Sequence, residues 1–225
     1  MTKFIIGCAL SLLATSVFAE VSKEEAHRLS EAAIVLTELR GAPDKGVPEG
    51  IWTKADCALV IPSLKKGAFV VGGEYGAGIM SCRKANRAEW TAPVFMRLAK
   101  GSFGLQIGGE SVDLVLLVMN QRGAEKLLRN KVSLGGDVSV AGGPVGRSAN
   151  AATDAQMKAE MLAYSRAQGV FAGIDLSGGT LKPDDDANVR AYGKDVTALD
   201  IAMGTKPATA PAEASAFMHA LGSHS

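Results

Sequence analysis

The chain has 225 residues, 47% of them apolar and 21% charged, with 26 glycines; this is the make-up of a folded domain able to bury a sizeable core. Aromatic residues are scarce at 5%, so small aliphatics, alanine and glycine must carry the packing. The balance of 24 basic against 23 acidic side chains excludes a strong overall field for nucleic acid, and 3 histidines leave little material for His-based catalysis or a His-rich metal site.

Residues 1–19 have the layout of a secretory signal peptide. Lys3 supplies a short positive start, residues 4–14 are uncharged and mostly apolar, and small residues precede a cut expected between Ala19 and Glu20. The apolar run is too short to span a bilayer. Cys8 sits too early in that run for a lipoprotein cleavage site. Removal of the segment takes Lys3 with it, so the exported chain carries equal numbers of basic and acidic side chains. It also takes Cys8, leaving Cys57 and Cys82 as an even pair in an oxidising compartment. Their spacing fits neither a C-x-x-C redox motif nor a zinc motif. A structural disulfide is expected, worth about 3 kcal/mol on chain-entropy grounds.

Residues 22–40 read as an amphipathic helix. Ser22 caps it, Glu24 and Glu25 suit its first turn, and Leu29, Ala32, Ala33, Leu36 and Leu39 form one stripe. Such a stripe packs on its own domain or inserts at a membrane surface. From residue 55 the apolar period shortens, and strands are expected at 57–61, 68–73, 78–83, 102–110, 112–119, 134–141, 158–166 and 169–177. Helices are expected at 121–130 behind Asn120, from about 184 to 193, and after Thr197 with Asp200 at its capping-box position. Successive strands with few helices between them argue for an antiparallel sheet that could close on itself. Residues 205–225 are rich in Ala and Pro and read as a flexible tail.

The glycines at 72–78 are in the wrong order for a phosphate loop, and a tight hairpin or close strand approach explains them better. Gly-Gly-Pro-Val-Gly-Arg at 142–147 is either a ligand-facing loop, with Arg147 beside backbone N–H groups, or a plain turn with a solvated arginine. Asp184, Asp185 and Asp186 lack the glycine and closing glutamate of an EF-hand, so helix capping is the stronger reading and no metal is assigned. Ser165 has no nucleophile elbow around it. Lys65 and Lys66 lie on an expected turn between strands, where each could meet a phospholipid headgroup.

Five segments occur in an order and spacing that resemble the SYLF domain: Gly-Glu-Tyr-Gly-Ala-Gly at 73–78, Gly-Leu-Gln-Ile-Gly at 104–108, Asp-Leu-Val-Leu-Leu-Val-Met-Asn at 113–120, the 142–147 segment, and Tyr-Ser-Arg-Ala-Gln-Gly-Val-Phe-Ala-Gly at 164–173. The resemblance covers residues 22–204. It implies a lipid-binding module: eukaryotic members bind phosphoinositide membranes and associate with actin patches, using an amphipathic N-terminal helix and basic residues, whereas bacterial members are typically exported single domains. The 22–40 helix occupies the matching place, although its acidic residues depart from a polybasic pattern.

The expectation is therefore an exported α+β domain over 20–204, with an antiparallel, barrel-like sheet and flanking helices. It would be periplasmic or secreted, peripheral on a membrane, and would bind phospholipid or another amphiphile of the cell envelope without cofactor or turnover. Leu29, Ala33 and Leu36 would meet acyl chains; Lys65, Lys66 and Arg147 would meet headgroups. The alternative is an envelope interaction protein that engages another protein. A weaker rival is a lipid hydrolase using Ser165 or Ser139, for which His27, His219 and His224 are poorly placed bases.

Overall fold

The computed structural model describes residues 20–41, 46–67, 72–102, 111–146, 156, 158–167 and 170–222. The expected signal peptide, Arg147, the segments 68–71 and 103–110, and the side chains of Lys65 and Lys66 lie outside the described residues.

The fold is α+β, as the sequence reading expected. A nine-stranded sheet runs in the order β5-β9-β3-β2-β1-β4-β7-β6, with β8 also on β7. Its strands are β1 (Cys57–Gly67), β2 (Gly72–Cys82), β3 (Val94–Ser102), β4 (Ser111–Val118), β5 (Val132–Ser133), β6 (Val140–Gly142), β7 (Met161–Ala167), β8 (Val170–Gly173) and β9 (Gly179–Pro183). All pairings are antiparallel except β6 on β7. The sheet curls into a half-barrel. The helices are α1 (Lys23–Arg40), α2 (Glu49–Trp52), α3 (Gln121–Arg129), α4 (Asp185–Tyr192), α5 (Ala198–Met203) and α6 (Ser215–Gly222).

The middles of the central strands are largely apolar because both faces of the sheet are covered. Alternate residues serve alternate cores. Ala58, Val60, Val115, Leu117, Leu162 and Tyr164 face one cluster with α1, α4 and α6. Leu59, Ile61, Leu114, Leu116, Met161 and Ala163 face the other with α3 and α5. The low aromatic content suits this arrangement, since aliphatic side chains fill thin layers between helix and sheet.

The glycines of 72–78 do not form a turn. They lie inside β2, where β1 leans across them: a Cβ on Gly76 would sit 2.4 Å from Ile61 Cγ2, and one on Gly78 would sit 2.6 Å from the Val60 carbonyl oxygen. The close-approach half of the expectation holds, and the hairpin half is corrected. A bulge in β1 accompanies the bend. Ser63 adopts φ 53° there, and its N–H donates to Asp113 Oδ1 at 2.9 Å. Arg166 Nε grips the same carboxylate at 2.8 Å and also reaches Glu38 of α1.

Two further ion-pair sets hold α1 to α4. Ser22 and Glu25 form a capping box, and the buried Glu25 carboxylate also accepts from Arg190 Nε at 2.9 Å. Asp184, 2% exposed, caps α4 and takes Arg28 at 3.1 Å and Arg97 at 2.8 Å. Burial pushes the Asp184 carboxyl up, but Arg97 and Arg28 outweigh burial and hold it below the usual carboxylate range. Glu25 behaves alike, with burial opposed by Arg190 and the Ser22 contacts.

The C-terminal stretch corrects one expectation. Residues 205–211 are irregular, but Ala212–Ala214 make a 3-10 turn and α6 follows, burying Ala214, Phe217, Ala220 and Leu221 against the α1 side of the core. This is a docked helix rather than a loose tail. Ala214 and Ala220 pack inward while Ala212 and Ala216 stay exposed, and only the prolines and threonines before them read as linker.

Replacing Phe217 by Ala should therefore cost about 3 kcal/mol, seen as a lower urea midpoint with unchanged slope. A loose tail would show no shift. The folded pKa values of Asp184 and Glu25 lie below their unfolded values, so their contribution is complete at neutral pH. It drains away as pH falls through the ordinary carboxylate range toward the depressed folded values. Asp184→Asn should lose about 3 kcal/mol at pH 7 and flatten the acid limb of a stability–pH curve. An unchanged acid limb would show that this carboxylate does not couple folding to protons.

A candidate basic cleft

The residues expected to touch lipid are not brought together. Leu29 and Leu36 are fully buried and Ala33 is 7% exposed, all within the core shared with the sheet and α6. The stripe is amphipathic because it packs inward, and in this conformation it has no free face to offer an acyl chain. Lys65 and Lys66 stand near the end of β1 opposite Tyr75 and Glu74, within a strand rather than on a turn. Cys57 and Cys82 are directly opposite in the β1–β2 ladder and are joined as a disulfide, with Cα atoms 3.9 Å apart. Ser139 donates its N–H to Glu160 and its hydroxyl accepts the Glu160 N–H, while His27 faces Glu31. Asp184 caps a helix, and no group of three or more His, Cys, Asp or Glu is placed to hold a metal among the described residues.

A different set of side chains converges around α3. Asn120 caps this helix by accepting the Gly123 N–H at 2.8 Å. Gly123, Ala124, Leu127 and Leu128 turn to the sheet, so Arg122, Lys126 and Arg129 fall on the outward face. Lys126 is committed to Glu160 Oε1 at 3.2 Å and the Asp137 carbonyl at 2.8 Å. Arg129 is not. It sits in the last turn, where a cation also suits the helix dipole, and Lys131 follows at once.

The remaining cations come from far along the chain. In β9, Leu181 and Pro183 are buried, so the intervening Lys182 is exposed. Gly193, at φ 86°, ends α4 and turns the chain so that Lys194 and Val196 lead into the Thr197 cap of α5. Between α3, β9, α4 and α5 lies a cleft of about 440 Å³ lined by Arg129, Lys131, Lys182 and Lys194, with Asp185 as its one acidic residue. Val189, 37% exposed, and Val196 add apolar surface. Among the described residues, no ion pair engages these four cations, whereas Arg28, Arg97, Arg166 and Arg190 are all neutralised by carboxylates. A shallower groove beside it shares Arg129, Asn130 and Lys131 and adds Arg122 and Lys126, but there Glu125 and Asp137 partly offset the cations, so the larger excess of positive charge belongs to the cleft. Such a site attracts anions and can hydrogen-bond them from several directions.

Sequence reasoning missed this cleft. The four-and-three spacing of Arg122, Lys126 and Arg129 marks an outward basic face in the sequence, but a helix face alone does not make a cleft. Lys182 and Lys194 carry no local signal, because only the placement of β9 and α4 beside α3 makes them neighbours. No helix among the described residues is long and apolar enough to cross a membrane.

A family model described as Ysc84, Las17-binding protein actin regulator, matches residues 99–224. The chain is 33% identical over 194 residues to SH3 domain-containing YSC84-like protein 1 of Homo sapiens, covering 85% of this chain and 56% of the human protein. It is 34% identical over 169 residues to an SH3 domain-containing protein of Schizosaccharomyces pombe, covering 73% and 39%. With LAS seventeen-binding protein 3 of Saccharomyces cerevisiae it shares 33% over 164 residues, covering 72% and 35%. The chain thus spans about half the length, or less, of the curated relatives it matches. Since the family model takes in more than half of its residues and the human relative is matched over 85% of this chain, the chain belongs to the Ysc84 family of SYLF-domain proteins.

Proposed function

We propose that this chain is an exported interaction module that associates with anionic phospholipid, or another anionic amphiphile, at the cell envelope. The observation that carries the reading is the cleft lined by Arg129, Lys131, Lys182 and Lys194, none of them ion-paired among the described residues, beside the apolar Val189 and Val196. Four unneutralised cations on one concave surface give a site that favours anions even in a protein of balanced charge. Export rests on the layout of residues 1–19. The basic cleft takes the place of the α1 stripe as the contact region, with Lys65, Lys66 and Arg147 as further basic positions on the same chain.

A second reading is a module that binds another protein. Its support is that one relative is named for binding Las17 and the matching family is described as actin-regulating. An acidic protein segment would find the same cations.

Flotation of the purified protein with phosphatidylglycerol vesicles and with phosphatidylcholine vesicles, at low and high salt, separates these readings. Association with the anionic vesicles only, weakened by salt, is the expected result. Each lysine near an anionic surface is worth roughly 1 kcal/mol, so K182E/K194E should lower partitioning by about thirtyfold or more. Equal binding to both vesicle types would sink the electrostatic reading. Capture of one dominant acidic envelope protein, with no vesicle association, would put the protein-partner reading first.

A further inference from the structure

Resting on that reading, we infer that the cleft between α3, β9 and α4 is a discrete site for one phosphate monoester group, rather than part of a diffuse basic surface. Three observations converge on it. The cations come from separate elements, Arg129 and Lys131 from the end of α3, Lys182 from β9 and Lys194 from the α4–α5 connection, so they surround a volume instead of lining one helix. The volume, about 440 Å³, is that of a small-ligand pocket and not of a flat face. The charge is lopsided: four cations against Asp185 alone.

That excess selects among anions. A carboxylate or a phosphodiester brings one negative charge and leaves most of the cleft uncompensated. A monoester carries nearly two charges at neutral pH and three terminal oxygens, enough for the Arg129 guanidinium and the lysine ammonium groups to donate together. Arginine adds planar two-point recognition, and the lysines adapt as point charges on flexible stems. Val189 and Val196 on the same wall would meet whatever apolar group the phosphate is esterified to. The phosphate could be a lipid headgroup or belong to a soluble ester.

The test titrates the purified protein with glycerol 3-phosphate and with dimethyl phosphate, reading amide chemical shifts, and then repeats the flotation with phosphatidic acid vesicles in the presence of glycerol 3-phosphate. The expected result is saturable shifts confined to residues around 128–131, 182–189 and 194–198, with the diester binding more weakly. Loss of two charge-assisted donors in K182E/K194E should weaken the monoester about tenfold or more. D185N, which removes the opposing carboxylate, should tighten it, and R122E in the neighbouring groove should leave it unchanged. Glycerol 3-phosphate should also displace the protein from the vesicles. If the monoester binds and competes nowhere while vesicles are still bound, the discrete site is overturned and the membrane reading stands. If it binds in the cleft but phosphatidic acid vesicles are ignored, the phosphate site stands with a soluble ester as ligand and the membrane reading falls. Shifts scattered over the surface and unaffected by K182E/K194E would also overturn the site.

Discussion

Burial of the central sheet on both faces governs where this protein can place anything polar. Residues 57–61 of β1 and 114–118 of β4 are all apolar and buried, and α1 with α6 on one side and α3 with α5 on the other leave this part of the sheet no wet face. Function is thereby pushed to the outer faces of helices and to the crevices where helices meet the sheet rim. The α3–β9–α4 cleft is such a crevice. It exists because β9 is short, ends in Pro183 and hands the chain to α4 beside the end of α3.

The two long amphipathic helices answer this constraint differently. α1 is sandwiched: the sheet lies beneath it and α6 packs against it, so residues on nearly opposite sides of the helix, Ala33 and Val35, are both buried. Its polar residues then have structural work, with Glu25, Arg28 and Glu38 each paired to a distant partner. Buried pairs of this kind add little net stability over an apolar contact, yet leaving one partner unpaired is costly. They favour a single docking angle for α1, because Glu25, Arg28 and Glu38 must meet Arg190, Asp184 and Arg166 together. α3 has a partner on one side only. Arg129, at the end of its outward face, is consequently available, and the cleft forms there.

Legibility followed the range of the signals. The α1 cap at Ser22, the Asn120 cap of α3, the Thr197–Asp200 box and the β4 run are written in neighbouring residues, and each was placed to within a residue or two. β3 and β9 were not seen, because Val-Phe-Met-Arg-Leu-Ala-Lys and Gly-Thr-Leu-Lys-Pro interleave cations with apolar residues in strands whose pairing comes from elsewhere. α6 was hidden by the Ala- and Pro-rich composition around it, though Phe217 and Leu221 already mark an apolar face. The amphipathic stripe of α1 was legible as a stripe. What it packs against was not, since α6 lies far down the chain and no local pattern says which helix will cover which.

The same limit explains why charge arithmetic, which excludes a strong overall field, says nothing of a local one. Equal numbers of acidic and basic residues describe a sum, and a sum is blind to segregation. In the folded chain the carboxylates that matter most for packing, Glu25, Asp113 and Asp184, are drawn inward to arginines that anchor α1 and the β1 bulge. Each such pair removes one acid and at least one base from the outward field together. Among the described residues the lysines of β9 and of the α4–α5 connection have no such partner, and they collect beside Arg129 because the topology places three chain segments there. Local field at short range depends on the unpaired charges within about a Debye length, ~8 Å at physiological salt, and not on the total. A balanced protein can therefore hold a strongly basic cleft, provided its acids are engaged elsewhere in holding the fold together.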